Sequence, residues 1–170
     1  MSGENSAFDL LHKNIQKWIY KNGWEELRPA QVESIKEIRQ TSNHLIICSP
    51  TASGKTEAAM LPLISELLEK NIYEKSYIIY ISPLKALIND QFTRLESLCK
   101  DNDICVVPWH GDISSSIKKK VEKNNQAILL ITPESLEAML INTPTKAKLI
   151  FKHAISIAVS YTHLTLPTKA

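Results

Sequence analysis

The sequence predicts an α/β fold built on a doubly wound, mainly parallel sheet, and two features of the chain support this prediction. Short apolar runs, nearly continuous and rich in β-branched residues, alternate with longer segments of helical periodicity. Such runs are typical of strands that are buried on both faces of a parallel sheet. Strands that alternate with helices favour βαβ units over an all-α or all-β fold.

The predicted elements follow one another in a single domain without internal repeats or a low-complexity linker. We expect strands at residues 44–48, 77–82, 104–107, 127–132 and 155–159. We expect helices at residues 8–20, 28–39, 56–70, 84–99 and 133–141. Pro62 is expected to kink the first half of its helix. Pro133 stands in the first turn of the last helix, where proline is favoured.

The composition is that of a globular chain and excludes several other classes. With 44% hydrophobic residues and a net charge of only +2, the 170-residue chain can bury a core and is not strongly polybasic. No apolar run approaches the roughly 20 residues that span a bilayer, and the N-terminus lacks a signal-peptide pattern. The three cysteines lack paired metal spacing, which argues against a zinc site or a disulfide framework. We therefore expect a cytoplasmic protein without a membrane partner.

Residues 49–56, Ser-Pro-Thr-Ala-Ser-Gly-Lys-Thr, connect the first expected strand to a helix and have the character of a phosphate-binding loop. Backbone amides at a helix N-terminus attract phosphate oxygens, and the helix dipole adds to this attraction. Gly54 permits close approach of the backbone, Lys55 neutralises phosphate charge, and the Thr56 hydroxyl can ligate Mg²⁺. Serine and alanine fill the first and fourth positions, where glycine is common. The alternative is a chance Gly-Lys-Thr sequence at an ordinary helix start.

Several segments, in the right order, resemble motifs of the superfamily 2 DEAD/DEAH-box helicases, in particular the Lhr-like group. Residues 27–31 resemble the Q motif, and residues 49–56 followed by Glu57 resemble motif I. The resemblance implies a RecA-like domain that binds ATP and Mg²⁺, with Gln31 gripping the adenine edge. Trp24 either stacks on the base or packs in a core. The implied nucleotide contacts are Trp24, Gln31, Pro50, Thr51, Ala52, Ser53, Gly54, Lys55, Thr56 and Glu57; Lys55 and Thr56 are the catalytic members, and Thr56 holds Mg²⁺ through the nucleotide.

Three further segments resemble the motifs with which this family holds a nucleic-acid backbone. Residues 83–91 resemble motif Ia, residues 109–112 (Trp-His-Gly-Asp) resemble an element of Lhr-like proteins, and residues 132–136 resemble motif Ib. Each follows an expected strand, and amides at helix starts can bind phosphates of DNA or RNA, single-stranded in the motor groove. The implied contacts are Pro83, Leu84, Lys85, Ala86, Gly111, Asp112, Thr132, Pro133 and Glu134.

Ordinary structural interpretations stand beside these assignments. Leu84, Leu87 and Ile88 are expected to face the core from an amphipathic helix, which is compatible with motif Ia. His110 is expected to be a structural histidine, and Glu134 to cap its helix rather than to act as an acid. The three lysines at residues 118–120 are expected to form a solvated face, with nucleic-acid contact as the alternative.

The acidic pair of motif II, which in this family holds Mg²⁺ and orients the attacking water, is missing after the last expected strand. The acidic residues beyond Asp112 are Glu122, Glu134 and Glu137. Residues 159–168 resemble the in-frame translation of a transposase mosaic-end adapter; the alternative is a genuine threonine-rich tail. We therefore expect N-terminal helices with the Q-motif segment (1–40), a partial RecA-like domain, incomplete at its C-terminus (41–158), and a non-native tail (159–170).

The resemblance implies the N-terminal part of an ATP-dependent helicase or translocase whose second RecA-like domain is missing from this chain. The chain itself is then expected to bind ATP and a nucleic-acid backbone but not to hydrolyse ATP. One alternative is a non-hydrolysing module that binds nucleotide or nucleic acid. Another is a small-molecule kinase, which is disfavoured because the only arginines available for a lid are Arg28, Arg39 and Arg94.

Overall fold

The computed structural model of the chain describes residues 6–50 and 53–161. Thr51 and Ala52, which belong to the predicted phosphate loop, and residues 162–170 of the predicted non-native tail lie outside the described residues. The chain divides between Glu74 and Lys75 into two compact units. The first unit is helical, and the second contains the sheet.

Three helices form the first unit: α1 (Lys13–Lys21), α2 (Pro29–Gln40) and α3 (Lys55–Glu69). Helix α2 packs along α3. The buried side chains of the three helices are mainly isoleucine and leucine: Ile15, Ile19, Ile35, Leu61, Ile64 and Leu67. From the end of α2, the Arg39 guanidinium donates to the Leu10 carbonyl at 3.0 Å and to the Glu69 carboxylate at 2.5 Å. The predicted helices at 28–39 and 56–70 are confirmed to within one residue at each end.

Pro62 lies inside α3 without ending the helix. Because proline has no N–H, the carbonyl of Ala58, four residues earlier, loses its helical partner. The hydroxyl of Ser34 in α2 donates to that carbonyl at 2.7 Å, in a fully buried position. A side chain of one helix therefore replaces the hydrogen bond that proline removes from the other.

Two elements of the first unit differ from their predictions. The first helix begins at Lys13 rather than at residue 8, because residues 7–10 form a turn and the ring of His12 caps the helix by accepting the Asn14 N–H. Residues 44–48 have no regular secondary structure, and Ile46 is 86% exposed. The strand predicted there is wrong, since β-branched composition gives only a preference and a strand requires a neighbour that completes its hydrogen bonds.

The second unit is a four-stranded parallel sheet with helical connections. Its strands are β1 (Ser76–Ile81), β2 (Cys105–Trp109), β3 (Gln126–Ile131) and β4 (Ala154–Val159), in the spatial order β2–β3–β1–β4. Its helices are α4 (Lys85–Cys99), α5 (Ser115–Lys118), α6 (Lys120–Lys123), α7 (Pro133–Asn142) and α8 (Pro144–Lys152), with a 3₁₀ turn at Lys100–Asn102. All three strand pairs are parallel, so the carboxyl ends of the strands lie at one edge of the sheet. The predicted fold class is confirmed, whereas α5, α6 and α8 were not predicted.

The central strands are buried on both faces, as their continuous apolar runs predict. One face carries a cluster that joins the sheet to α6, α7 and α8: Tyr77, Ile79, Val107, Trp109, Val121, Ala127, Leu129, Ile131, Met139, Ala147 and Ile150. The alternate residues Ile78, Ile128 and Leu130 are fully buried on the opposite face. Strand β4 is an edge strand whose Ile157 and Val159 are both 54% exposed.

Candidate nucleotide and nucleic-acid sites

The predicted phosphate loop enters α3 through Gly54, the N-cap of that helix. Its φ of 83° lies in the left-handed region, which favours glycine. A Cβ atom at this position would come within 2.6 Å of Gln31 Nε2. Two features therefore favour glycine at position 54: its left-handed backbone angle, and the Gln31 side chain that packs where a Cβ atom would lie.

Lys55 follows at the first position of α3, and its side chain turns back onto the loop. The ammonium donates to the Ser49 carbonyl at 2.7 Å and to the Pro50 carbonyl at 2.6 Å. The Ser53 hydroxyl is buried and has no hydrogen-bond partner among the residues that the structure describes. The loop thus gathers a cation, a buried hydroxyl and the N-terminus of a fifteen-residue helix, which together suit an anion.

Gln31 joins the Q-motif segment to this loop. Its side-chain oxygen accepts the Arg28 N–H at 2.9 Å, and its Nε2 is the atom that a Gly54 side chain would meet. Only 2% of Gln31 is exposed, so its side chain is not a solvated one on the helix surface. In this structure Gln31 caps α2 and packs against the phosphate loop; contact with adenine stays a prediction.

Trp24 lines a cavity of about 580 Å³ in the first unit. The ring of Trp24 packs edge-on against Trp18 with 5.5 Å between centroids. The cavity is bounded by three aromatic residues and by both charge types: Ser6, Ala7, Phe8, Ile19, Tyr20, Trp24, Glu25, Glu26, Leu27, Val32 and Lys36. Gln31 is outside this lining, so the two side chains predicted to hold one base occupy different surroundings.

In the second unit, the loops that follow β1 and β2 bring two predicted nucleic-acid contacts together. Lys85 Nζ donates to both carboxylate oxygens of Asp112, at 3.1 and 3.0 Å. The ammonium of Lys85 holds the pKa of Asp112 below its usual value, through a hydrogen bond and its charge. Gly111 lies beside this pair, with its Cβ position 3.7 Å from Lys85 Nζ. The pair is solvent-exposed, since 54% of the Lys85 and 70% of the Asp112 side chain is accessible.

The other residues of the motif Ia segment flank Lys85 at the start of α4. Leu84, the N-cap of α4, is 51% exposed, whereas Ile88 is buried. The expectation that Leu84 faces the core is therefore wrong, because the chain is still extended at that residue and the helical face begins one residue later. Pro83 is half-buried and Ala86 is exposed.

The motif Ib segment begins α7 with a side-chain cap. Thr132 Oγ1 accepts the Ser135 N–H at 3.3 Å and donates to the Ser135 hydroxyl at 3.0 Å. Thr132 is 4% exposed, while Pro133 and Glu134 in the first turn are exposed. The hydroxyl that was predicted to hold a phosphate is thus used inside the protein, whereas Pro133 and Glu134 in the first turn of α7 remain exposed.

The family model for DEAD/DEAH box helicases matches residues 28–159. The chain belongs to the DEAD/DEAH box helicase family. It is 34% identical to the ATP-dependent helicase Lhr-Core of Methanocaldococcus jannaschii over 163 residues, which cover 86% of this chain and 19% of that protein. It is 35% identical to Lhr-Core of Saccharolobus solfataricus over 144 residues, covering 78% of this chain and 16% of that protein. The predicted resemblance to Lhr-like helicases is confirmed, and the chain spans about a fifth of the length of these relatives.

Solved helicase structures share the fold. The DUF1998 helicase MrfA bound to DNA and AMPPNP superposes with a TM-score of 0.77 at 25% identity, over 89% of this chain and 21% of that one. The RNA-helicase Prp28 from Chaetomium thermophilum bound to ADP superposes with a TM-score of 0.70 at 18% identity, over 95% of this chain and 46% of that one. The RecA-like assignment of this DEAD/DEAH box helicase chain is thereby confirmed.

Three side-chain contacts near the motif segments were not predicted from the sequence. Asn89, one turn after Lys85 on α4, contacts the ring of His110 at 3.2 Å. Lys146 Nζ lies 4.8 Å from the centre of the buried Trp109 ring and pairs with Glu122 at 2.5 Å. Lys118 Nζ lies 5.8 Å from the same ring, so one of the three lysines expected on a solvated face instead covers an aromatic side chain. Of these contacts, only that of Asn89 had a signal in the sequence, because Asn89 lies one helical turn after Lys85 and therefore on the same face of α4.

No helix in the described part of the chain is long and apolar enough to cross a membrane. Within residues 6–50 and 53–161, no group of three or more His, Cys, Asp or Glu side chains could hold a metal ion. Strand β4 ends at Val159, and the Ser160 N–H donates to the Ile81 carbonyl at 2.9 Å, so the first residues of the predicted non-native tail continue the sheet.

Proposed function

We propose that this chain is the part of an ATP-dependent helicase or translocase that binds the phosphates of ATP and the backbone of a nucleic acid. The observation that carries the nucleotide assignment is the loop at the start of α3. There Gly54 is held in the left-handed region against Gln31, and Lys55 stands at the helix N-terminus. Backbone amides, a helix dipole and a lysine converge at that position, as phosphate recognition requires.

ATP and Mg²⁺ fit the residues present. The buried Ser53 hydroxyl lacks a partner among the described residues, and within the same residues the Lys55 ammonium bonds only to neutral carbonyls, so its charge is not neutralised. A terminal phosphate would be held by Lys55 and by the first amides of α3, while Thr56 would ligate Mg²⁺ through the nucleotide. The metal would supply charge neutralisation on the phosphate oxygens.

The nucleotide assignment is tested by binding of a fluorescent ATP analogue to the full chain and to Lys55→Ala. Loss of a charge-assisted hydrogen bond costs about 1.5–3 kcal/mol, so we expect affinity to fall about 10- to 100-fold or below detection. Lys70→Ala, at the other end of α3, is the matched control and should bind like the wild type. Retained affinity in Lys55→Ala would contradict the phosphate-loop assignment.

We propose that the nucleic-acid strand, DNA or RNA and single-stranded in the motor groove, contacts the carboxyl edge of the sheet. Lys85, Gly111 and the exposed first turn of α7 lie at this edge, after β1, β2 and β3. MrfA has been solved bound to DNA, and Mss116p, a structure with a TM-score of 0.68, bound to ssRNA. Lys85→Met should weaken binding of a labelled single-stranded oligonucleotide while leaving ATP affinity within about twofold.

We propose that this chain alone does not hydrolyse ATP. The carboxylates available after Asp112 are Glu122, Glu134 and Glu137, and none follows β4, where the motif II pair of the family is expected. In a longer protein the second RecA-like domain would complete the site. Phosphate release from ATP by the purified chain, stimulated by oligonucleotide and abolished in Lys55→Ala, would contradict this proposal.

A binding module without turnover is the second candidate, favoured by the same missing acids. A nucleotide-affinity measurement with and without oligonucleotide separates a motor part, in which binding of the two ligands is coupled, from a kinase-like protein, in which it is not.

We also propose that the protein is located in the cytoplasm. Cys48, Cys99 and Cys105 are free thiols, which suits a reducing compartment.

A further inference from the structure

The exposed pair of Lys85 and Asp112 poses a problem for phosphate binding at the carboxyl edge. Both oxygens of the carboxylate accept hydrogen bonds from the ammonium, at 3.1 and 3.0 Å. A nucleic-acid phosphate that binds Lys85 competes with Asp112 for the ammonium, and a carboxylate left beside the bound phosphate repels it. Phosphate binding is therefore favoured if the Asp112 carboxylate can turn to another partner.

The ring of His110 is a second partner within reach of the Asp112 carboxylate. It is 3% exposed, and its Nε2 contacts Asn89 Oδ1 at 3.2 Å. Because a side-chain carbonyl oxygen only accepts hydrogen bonds, Nε2 carries the ring proton and Nδ1 is left as an acceptor. Nδ1 is buried and has no hydrogen-bond partner in the described part of the chain. Asp112 Oδ2 lies 3.8 Å from it, about 1 Å beyond the length of a charge-assisted hydrogen bond.

Burial and the neighbouring lysines lower the pKa of His110, which favours the neutral ring in this arrangement. Burial lowers its pKa first; Asp112 raises it, and Lys85 of α4 and Lys118 of α5 lower it. Two cations and a carboxylate that is already paired thus surround the ring. If a phosphate neutralises Lys85 and Asp112 approaches Nδ1, both changes favour the protonated ring.

We propose that Asp112 and His110 form a proton-linked gate on the Lys85 phosphate site, an inference that rests on the proposed nucleic-acid function. When a backbone phosphate takes the ammonium, the Asp112 carboxylate turns to His110, and Nδ1 takes up one proton from solvent. The imidazolium then donates from Nδ1 to Asp112 and from Nε2 to Asn89. Lys85 exchanges one anion for another, and the carboxylate keeps a cationic partner.

The gate predicts that the affinity for nucleic acid increases as pH falls. Since the complex holds one more proton than the free protein, affinity rises as pH falls through the titration range of His110, by at most about tenfold per pH unit. His110→Gln keeps the Lys85–Asp112 pair but has no site for the proton, so it should bind weakly with little dependence on pH. Asp112→Asn removes the competing carboxylate, so it should bind more tightly than the wild type at pH 8 and also lose the pH dependence.

The first experiment needs no nucleic acid. The pKa of His110 is measured by NMR in the full chain, in Lys85→Met, in Asp112→Asn and in the double variant. Removing the lysine charge raises the pKa in either background, but only with Asp112 present can the freed carboxylate also bond to Nδ1. We expect the rise caused by Lys85→Met to be clearly larger in the wild-type background than in the Asp112→Asn background. Equal rises would overturn the gate.

The second experiment measures binding of a fluorescein-labelled oligothymidylate between pH 5.5 and 8 at constant ionic strength. Asp103→Asn is the matched control for Asp112→Asn, since Asp103 is exposed and precedes β2, whereas Asp112 follows it. His153→Gln is the control for His110→Gln. Both controls should keep the wild-type pH profile.

The outcomes separate the gate from the proposed function. Wild-type binding that strengthens several-fold from pH 8 to 5.5, with flat profiles in His110→Gln and Asp112→Asn, supports the gate. Binding that Lys85→Met weakens but that is flat in pH in the wild type overturns the gate and leaves the proposed function standing. Binding that Lys85→Met does not weaken at any pH overturns the nucleic-acid role of Lys85 and the gate with it.

Discussion

Two lysines of this chain are assigned to phosphates, and their surroundings differ. Lys55 in the first unit bonds to two neutral backbone carbonyls at a helix N-terminus, so the loop keeps its positive charge. Lys85 in the second unit bonds to both oxygens of a carboxylate, so the pair is electrically neutral. A phosphate at Lys55 displaces weak, uncharged partners, whereas a phosphate at Lys85 must compete with an anion. Under the proposed function, Lys55 would therefore be a constitutive phosphate site and Lys85 a conditional one.

A change in the phosphate loop is expected to affect both stability and ATP binding, because the shape of the loop depends on backbone geometry. Gly54→Ala forces an L side chain into the left-handed region, at about 1–2 kcal/mol, and requires the Gln31 amide to shift away from the new methyl group. Gly23→Ala is the control, since Gly23 has a φ of 68° but nothing within 4 Å of its Cβ position. Urea unfolding should show the larger loss in Gly54→Ala, together with weaker ATP binding. Equal losses would mean that the contact with Gln31 contributes nothing.

The support of α3 by α2 gives the next effect. Ser34→Ala leaves the Ala58 carbonyl buried without a partner, which costs about 1–3 kcal/mol. Pro62→Ala supplies an N–H to that carbonyl, so the serine should matter less in its presence. A double-mutant cycle of unfolding free energies measures the difference. Additive losses would contradict the replacement of the helical hydrogen bond by the Ser34 hydroxyl.

At the carboxyl edge the expected change lies in the salt dependence of binding. In Asp112→Asn at pH 8, Lys85 no longer has a competing anion and makes a full phosphate contact. The slope of log affinity against log salt for a single-stranded oligonucleotide should then steepen by about 0.7. Asp103→Asn should leave the slope unchanged, and an unchanged slope in Asp112→Asn would show that Asp112 does not compete for Lys85.

The smallest effect is the acid sensitivity of the same pair. Lys85 lowers the pKa of Asp112, so the stabilisation is present above the ordinary aspartate pKa and is lost as pH falls through the lowered value. Because both side chains are exposed, the wild type and Asp112→Asn should differ little in urea midpoint at pH 7 and not at all at pH 2. A large difference at pH 7 would mean that the pair anchors the loop after β2.

Sequence patterns located the strands of the second unit well, but they also predicted a strand in the first unit that the structure does not have. The runs that became β1, β3 and β4 were predicted to within one residue. For β1 and β3 the reason is that a central parallel strand must be apolar on both faces. The run at residues 44–48 has the same composition, yet it is exposed and irregular. Composition describes the preference of a segment, whereas pairing is decided by which other segments come beside it.

In the candidate site too, features of one contiguous segment were predicted, whereas contacts between separate elements were not. The loop residues around Gly54 and Lys55 were predicted because phosphate binding constrains a short contiguous segment. Three features of the site were not predicted. They are the buried contact of Gln31 with Gly54, the position of the Asp112 carboxylate near His110, and the use of the Thr132 hydroxyl as a helix cap. Each of these depends on side chains that meet only after the helices and loops have packed.

The sequence by itself determined the α/β class and the family, and it predicts the phosphate loop and the order of the nucleic-acid segments, because each of these depends on local patterns and spacing. Only the tertiary structure decided that Lys55 bonds to neutral carbonyls while Lys85 is paired with a carboxylate, and that the buried Nδ1 of His110 stands 3.8 Å from that carboxylate. The physical reason is that charge and proton affinity depend on distance and burial, and folding sets both by bringing residues from different elements together.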